Sequence, residues 1–172
     1  LAGYGQMLML AGEVTRACEV CEEALAVALA VGARQVEGHA RNTLGTALAV
    51  TTDPERGLAE LRTARAIAEE LGDPDDIGRA YVNLTDSLAK QGRWDESVEV
   101  GRAGVVACQR LGIDRTYGVY VAWNMQEGLV ARGRWDEVLE LEAQVAARLP
   151  TGYWQYVLAS PMRADRGDLE GI

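Results

Sequence analysis

The residues that most readily suggest chemistry are three cysteines and one histidine. Cys18 and Cys21 lie three positions apart, so on a helix both thiols share one face and could help to bind a metal ion. A structural zinc site normally needs four ligands, and only Cys108 and His39 remain to complete one. The internal repeat of the chain places the cysteines where other units carry apolar residues: Leu58 and Val98 for Cys18, Leu61 for Cys21, and Ala28 and Ala68 for Cys108. We therefore predict buried thiols that pack as small apolar side chains, and no metal site.

Groups for catalysis are sparse. His39 is the only histidine, so no second one is available to pair with a serine or cysteine nucleophile, although His39 could contact a ligand. Acidic pairs such as Glu69-Glu70 and Asp75-Asp76 fall at expected helix ends, where solvated carboxylates are common. The sequence predicts a chain that is not an enzyme and binds no cofactor.

Composition and charge narrow the classes of partner. The 172 residues carry a net charge of −9, and the 17 basic residues are scattered singly. Direct contact with nucleic acid would need a cluster of Lys and Arg that displaces counterions, so none is expected. No stretch approaches the ~18 consecutive apolar residues of a membrane span, and no secretory signal is visible. An odd number of cysteines without such a signal favours reduced thiols and a cytoplasmic setting.

An internal repeat decides the architecture. The segments Gly92-Arg93-Trp94-Asp95-Glu96 and Gly133-Arg134-Trp135-Asp136-Glu137 lie 41 residues apart. An apolar residue followed by glycine recurs every 40 residues, at Val31-Gly32, Leu71-Gly72 and Leu111-Gly112. A period of this length predicts an all-α solenoid of antiparallel helix hairpins, in which each hairpin buries its apolar face against its neighbours.

The repeat also predicts boundaries within a single domain, 1–172. Units are expected at 1–32 (partial), 33–72, 73–112, 113–150 and 151–172 (partial). First helices are expected at 35–50, 75–91 and 114–132, and second helices at 14–31, 54–71, 94–111 and 135–149. The first three second helices precede a glycine, which accepts the left-handed conformation of a C-cap. Small residues recur on one stripe of these helices and predict close helix approach: Ala17, Gly57, Ser97, Ala24, Ala64 and Gly104.

Two tryptophans, Trp94 and Trp135, follow the turn within their hairpins. An aromatic side chain can form a platform for a cofactor. Repetition at the same turn position instead favours packing over the junction between the two helices of one hairpin. We predict this structural role for both.

These positions resemble the tetratricopeptide pattern, with a large residue and glycine at Leu44-Gly45, an aromatic residue after the turn, and small residues at Ser97 and Gly104. The resemblance covers residues 1–149 and implies a right-handed superhelix. The period of 40–41 exceeds the ~34 residues typical of that family because the second helix is longer. The small position of Gly45 is also lost in later units, which carry Thr85 and Gln126.

Repeat units of this greater length, with segments such as "GRWDE" and "ARAIAEELGD", are similar to the helical region of large ATP-binding LuxR-type bacterial transcription regulators, the family of the maltose-regulon activator. In that family a nucleotide-binding module precedes the repeats and a helix-turn-helix often follows them. The present sequence contains no phosphate-binding loop of the G-x-x-x-x-G-K-[ST] type and no basic recognition helix. The resemblance therefore implies a fragment of a longer regulator.

In tetratricopeptide arrays the first helices line a concave groove, and the resemblance assigns a candidate binding surface to that face. Within each helix the assigned positions follow i, i+3, i+7 spacing and form one stripe. Tyr120 and Trp123 could mark a recognition surface, or they could pack against the next hairpin. The candidate residues are His39, Asn42 and Thr46, then Arg79, Val82, Asp86 and Lys90, then Tyr120, Trp123, Glu127 and Val130.

The expected function is a non-catalytic binding module, the sensor or interaction arm of a multidomain regulator. Its groove would bind a protein or peptide, or a small-molecule inducer. The alternatives are a stand-alone scaffold for protein assembly and the helical arm of a signalling ATPase or cyclase. Apolar residues at the two ends of the array predict a possible homodimer through exposed ends; they are Met7, Met9 and Leu10, and Tyr153, Trp154 and Val157.

Overall fold

A computed structural model describes residues 1–51 and 53–148, and within these ranges the chain is helical with no strand. The all-α prediction is thereby confirmed. None of the described helices has the length and apolar character that a bilayer crossing requires. The elements are α1 (Ala2–Leu10), α2 (Val14–Val31), α3 (Arg34–Ala49), α4 (Pro54–Leu71), α5 (Pro74–Lys90), α6 (Trp94–Leu111), a π-helical turn (Asp114–Gly118), α7 (Val119–Ala131) and α8 (Trp135–Ala146).

Helix ends follow the glycine signals. Three helices, α2, α4 and α6, are each 18 residues long. Each is followed by a glycine in the left-handed region, with φ of 68° at Gly32, 74° at Gly72 and 70° at Gly112. The backbone N–H of Gly72 donates to the carbonyl of Ala68, so the end of α4 is capped as expected. These predicted boundaries are confirmed.

The repeated Gly-Arg-Trp-Asp-Glu segments are turns that start a helix. Gly92 and Gly133 adopt φ of 70° and 67°, which ordinary side chains rarely accept. The next residue is the N-cap, and its guanidinium contacts the glutamate three positions on: Arg93 reaches Glu96 at 2.6 Å, and Arg134 reaches Glu137 at 2.6 Å. The repeated sequence therefore forms the same structure twice: a turn at glycine, followed by an arginine–glutamate ion pair across the first turn of α6 and of α8.

Two layers emerge from the helix contacts. One layer, the first-helix layer, consists of α1, α3, α5 and α7, which pack side by side in that order. The other, the second-helix layer, consists of α2, α4, α6 and α8. Each of α2, α4 and α6 packs against two successive helices of the first-helix layer. Connections of only two to four residues join consecutive helices, so neighbours along the chain run antiparallel.

Ion pairs connect the second helices to one another. Arg56 of α4 contacts Glu22 of α2 at 2.6 Å, and Arg62 of α4 contacts Glu96 of α6 at 2.9 Å. Arg102 of α6 contacts Glu137 of α8 in the same way. These side chains are between about one-third and one-half exposed.

Apolar side chains fill the space between the two layers. They form several clusters, each built from neighbouring helices. Leu44 and Leu48 pack with Cys21, and Leu58 and Leu61 pack with the two leucines of α5. Further along lie two larger groups, around Ile77, Tyr81, Cys108 and Val121, and around Val98, Met125, Leu129, Val138 and Leu141.

The backbones of α3 and α4 approach each other closely at Gly45 and Gly57. A methyl group built on Gly57 would lie 2.6 Å from the amide nitrogen of Ala49 and 2.8 Å from the carbonyl oxygen of Gly45. In the next hairpin Thr85 and Ser97 take these two positions, and the Ser97 hydroxyl donates to the Thr85 carbonyl at 3.0 Å. The predicted close contact is confirmed, and a buried hydrogen bond replaces the glycine pair where the sequence departs from the pattern.

One predicted helix is divided. The sequence indicated a single helix over 114–132, whereas a π-helical turn precedes α7. The Ile113 carbonyl accepts hydrogen bonds from the amides of Tyr117 at 2.9 Å and Gly118 at 3.1 Å. This wider turn places the Tyr117 ring directly on Gly78 of α5, where no β-carbon would fit. The aromatic contact between helices therefore accounts for the irregular turn.

Burial of the cysteines is confirmed for two of the three. Cys21 and Cys108 have no exposed surface, and the Cys21 sulfur lies against Gly5. Cys18 is only half-buried, a correction to the prediction, because it lies at the edge of the Cys21 cluster. In residues 1–51 and 53–148, no three His, Cys, Asp or Glu side chains are grouped to hold a metal ion.

At the N-terminal end, Met7 is 66% and Leu10 69% exposed, whereas Met9 is half-buried. The apolar residues named for the other end, Tyr153, Trp154 and Val157, lie outside the described residues, as does the unit expected at 151–172. The homodimer through these ends stays a prediction.

Two buried thiols and one buried tyrosine hydroxyl predict that the folded state loses stability at alkaline pH. Burial raises the pKa of the Cys21 and Cys108 thiols from 9.0 to about 11. Burial, together with donation of its hydroxyl to Glu69 at 2.6 Å, raises the pKa of Tyr81 from 10.0 to about 12. The folded state holds these protons more tightly than the unfolded state, so stability is complete below pH ~9 and falls as pH rises to ~12. We expect a loss on the order of 2 kcal/mol per group in chemical denaturation across this window.

Cys108→Ala provides the matched variant, since alanine occupies the equivalent positions 28 and 68. It should make the decline between pH 9 and 11 shallower, although not flat, because the Cys21 thiol titrates in the same window; the decline attributed to Tyr81, nearer pH 12, should remain. An unchanged slope in this variant would contradict the assignment.

Candidate functional site

The residues assigned to a groove by resemblance lie on three neighbouring helices of the first-helix layer. His39 and Asn42 belong to α3, while Arg79, Asp86 and Lys90 belong to α5. Tyr120, Trp123 and Glu127 belong to α7. Because α3 packs against α5 and α5 against α7, the three stripes are adjacent. Their environments differ, however: some of these side chains form hydrogen bonds to an adjacent helix, and the others form a more open surface.

His39 and Arg79 form a direct link between α3 and α5. Arg79 Nη1 lies 3.2 Å from His39 Nε2, and Arg79 Nη2 contacts Asp76 Oδ1 at 2.9 Å. Arginine has no acceptor, so a hydrogen bond here requires the neutral imidazole with Nε2 as acceptor. Burial first, and then the charge of Arg79, lower the pKa of His39, and Asp76 opposes them only in part. The guanidinium is therefore fixed between two helices.

Asparagines form a second link between the same helices and extend it to α7. The Asn83 amide donates to Asn42 Oδ1 at 2.5 Å. The Asn124 amide donates to the Val82 carbonyl at 3.1 Å and to the Thr85 hydroxyl at 3.0 Å. Asn42 is only 2% exposed. It supports the neighbouring helix, and little of its surface remains for a ligand.

Sequence reasoning missed Asn83 and Asn124. A signal was present, because Asn42, Asn83 and Asn124 follow one another at steps of 41 residues. Recurrence of one polar residue type on the first helices indicates contact between consecutive units. The spacing matches that of the two Gly-Arg-Trp-Asp-Glu segments.

The remaining candidates form a more open surface, the α5–α7 patch, defined as Asp86, Lys90, Tyr120, Trp123 and Glu127. Tyr120 is 47% exposed, and Glu127 and Lys90 are exposed as well. Lys90 Nζ contacts Asp86 Oδ2 at 2.7 Å, and the Trp123 indole N–H donates to Glu127 Oε1 at 3.2 Å. The patch combines two carboxylates, one ammonium group and two aromatic rings.

The register of α7 on α5 follows from the asparagine contacts. Asn124 bonds Thr85 and Val82, so Trp123 lies beside the middle of α5. Glu127 is one helical turn further along α7, and Asp86 is next to Thr85. Both carboxylates therefore occupy the same level of the two helices. This places them at the same end of the patch as Lys90.

The two turn tryptophans are both half-buried. Trp135 packs beside the cluster of Val138 and Leu141 at the start of its own helix. The backbone of Trp94 lies against Gly128, where an added methyl group would be 3.0 Å from the Trp94 carbonyl oxygen. The contact of the Trp135 side chain agrees with its predicted packing role, whereas the role of the Trp94 ring stays a prediction.

A cleft lies elsewhere, between α6, the π-helical turn, α7 and α8. It encloses about 350 Å³, open solvent included, and its walls are mainly apolar. The principal side chains are Val105, Val119, Ala122, Leu141 and Val145.

No family model matches this sequence, and no curated protein matches it.

Proposed function

We propose that the chain is a non-catalytic binding module with tetratricopeptide-like architecture, a right-handed solenoid whose first helices line the binding groove. Support comes from the 40–41-residue spacing of equivalent residues and from the side-by-side packing of α1, α3, α5 and α7. The short connections and the left-handed glycines at 32, 72 and 112 agree with units of two helices.

The α5–α7 patch is the single observation that carries the proposal. On the second-helix layer, arginine and glutamate form ion pairs that connect one helix to the next. On the first-helix layer, an exposed tyrosine, a half-buried tryptophan and charged groups share one surface instead. Aromatic rings with polar ends are characteristic of recognition surfaces, since they offer a large contact area at a small cost in side-chain entropy.

A regulatory setting is part of the proposal. The resemblance to LuxR-type regulators supports a cytoplasmic sensor or interaction arm, with ATPase and helix-turn-helix modules in other parts of a longer protein. A ligand that binds one arrangement of the arm more tightly would shift the whole protein toward that state. The coding sequence on both sides of this segment tests the idea. A phosphate-loop module before it and a helix-turn-helix after it are expected, whereas a complete short protein would leave a stand-alone scaffold.

Selection of peptides from a random library tests the binding surface. Peptides that bind the protein should lose at least about tenfold in affinity for the Tyr120→Ala/Trp123→Ala double variant, because truncating central aromatic anchors typically costs over 1 kcal/mol each. A melting temperature close to that of the parent would show that the variant is folded. Equal affinity for parent and variant would place binding elsewhere and overturn the proposal.

A further inference from the structure

We propose that the α5–α7 patch recognises a cationic peptide segment, with an arginine or lysine side chain placed between the aromatic rings of Tyr120 and Trp123 and the carboxylates of Glu127 and Asp86. The inference rests on the proposed function and names the chemistry of the partner.

The aromatic half of the patch suits a cation. Indole is the most favourable ring for a cation–π contact, and phenol also contributes. Tyr120 and Trp123 are three positions apart on α7, so both rings rise from one face of the helix. With 47% of its surface exposed, Tyr120 can be reached by a partner. An aliphatic partner would use only the area of these rings, whereas a cation also uses their charge distribution.

The carboxylates supply the charge. The indole N–H of Trp123 donates to Oε1 of Glu127 and orients this exposed carboxylate beside the ring. Asp86 lies at the same level on α5, by the register that the Asn124 contacts define. An acidic peptide or a phosphate group would meet two negative groups here and be repelled. The net charge of −9 adds long-range attraction for a basic segment.

The patch already binds one cation of its own. The Lys90 ammonium contacts Asp86 at 2.7 Å, and its side chain is 60% exposed. An exposed pair of this kind contributes little energy, so an incoming cation can exchange with it. A guanidinium has the advantage in this exchange, because its planar fork binds a carboxylate through two hydrogen bonds and also stacks on an aromatic ring. We therefore expect arginine to bind more tightly than lysine.

The experiment uses three labelled nonapeptides in which every third residue is variable and the others are Gly and Ser. The variable residue is arginine, citrulline or glutamate; citrulline keeps the shape of arginine without its charge. Fluorescence anisotropy at low ionic strength should show the arginine peptide binding at least about tenfold more tightly than the citrulline peptide, since charged hydrogen bonds are roughly twice as strong as neutral ones. The glutamate peptide should bind least.

Single variants assign the effect to the patch. Glu127→Gln and Trp123→Leu should each weaken the arginine peptide at least about fivefold, as expected for loss of a charge pair or a cation–π contact. Lys90→Gln should strengthen binding, because it removes the internal competitor for Asp86. Glu99→Gln removes the same charge from an exposed position on α6, in the second-helix layer, and should have little effect.

Three results would overturn the inference: equal affinity for the arginine and citrulline peptides, preference for the glutamate peptide, or an effect of Glu99→Gln as large as that of Glu127→Gln. If library peptides bind through Tyr120 and Trp123 but are neutral or acidic, the binding module stands and its cationic specificity is wrong. If arginine peptides bind and the aromatic double variant does not weaken them, the groove itself is wrong.

Discussion

Replacing Gly57 with alanine should lower the free energy of unfolding by about 3 kcal/mol, at the upper end of the usual cost of overpacking a core. The new methyl group would lie 2.6 Å from the Ala49 amide nitrogen and 2.8 Å from the Gly45 carbonyl oxygen. Both obstacles are backbone atoms, so no rotation of a side chain relieves the overlap. The two helices must separate, and Leu61 of α4 then loses its contact with Gly45 of α3.

Gly3→Ala is the matched control for this change. Gly3 also lies within a helix, but an added methyl group would meet nothing within 4 Å. Alanine is a better helix former than glycine by about 1 kcal/mol, so this variant should be neutral or slightly more stable. Urea denaturation of the two variants measures the difference. Similar behaviour of both would show that α3 and α4 can separate at little cost.

Replacing Glu37 with glutamine should lower the free energy of unfolding by about 2 kcal/mol, because it removes one partner from a largely buried charge network. Glu37 is only 7% exposed, and it accepts hydrogen bonds from Arg34 Nη1 and Arg41 Nε, both at 2.9 Å. Arg41 in turn contacts Glu60 of α4 at 2.5 Å. The amide of glutamine would direct N–H groups toward guanidinium donors and leave Arg41 with less compensating charge.

Acid titration gives this prediction a second measurement. Burial raises the pKa of Glu37, but the hydrogen bonds from Arg34 and Arg41 outweigh it, so the pKa lies below its ordinary value of 4.5. The stabilisation is therefore present above pH ~4.5 and is lost as pH falls through the lower, folded-state pKa. Glu37→Gln should abolish this dependence, whereas Glu23→Gln, at an exposed position on α2, should keep it. Identical acid profiles for the two variants would rule out the network.

Local features of the fold were predictable, because they depend on residues close together in sequence. Helix termini followed Gly32, Gly72 and Gly112, whose backbone conformation disfavours other residues. The close contact at Gly57 followed from the stripe of small residues on the second helices. The division of the helix at 114–118 was not predictable, since it results from the contact of Tyr117 with Gly78, a residue 39 positions earlier.

The sequence predicted which helices carry the candidate residues, but it did not predict the contacts that these residues make. A stripe of residues locates a helix face, but it does not say which side chains of that face are used by the adjacent helix. Asn42 and Arg79 form hydrogen bonds between α3 and α5. The more open surface is therefore formed by the residues of the α5–α7 patch. Which side chains contact the adjacent helix depends on how residues about 40 positions apart are aligned on neighbouring helices, and this alignment is known only from the structure.

The arginine–glutamate pairs of the second-helix layer have a mechanical consequence. In the first-helix layer, packed side chains and partly buried hydrogen bonds of the asparagines set the distance between helices. In the second-helix layer, ion pairs with partly exposed groups connect one helix to the next, each contributing at most about 1 kcal/mol. Salt weakens only the second kind of connection appreciably, because exposed charges are screened over about 8–10 Å near physiological ionic strength. We therefore expect the second-helix layer to separate more easily than the first-helix layer, and to do so more easily as the salt concentration rises.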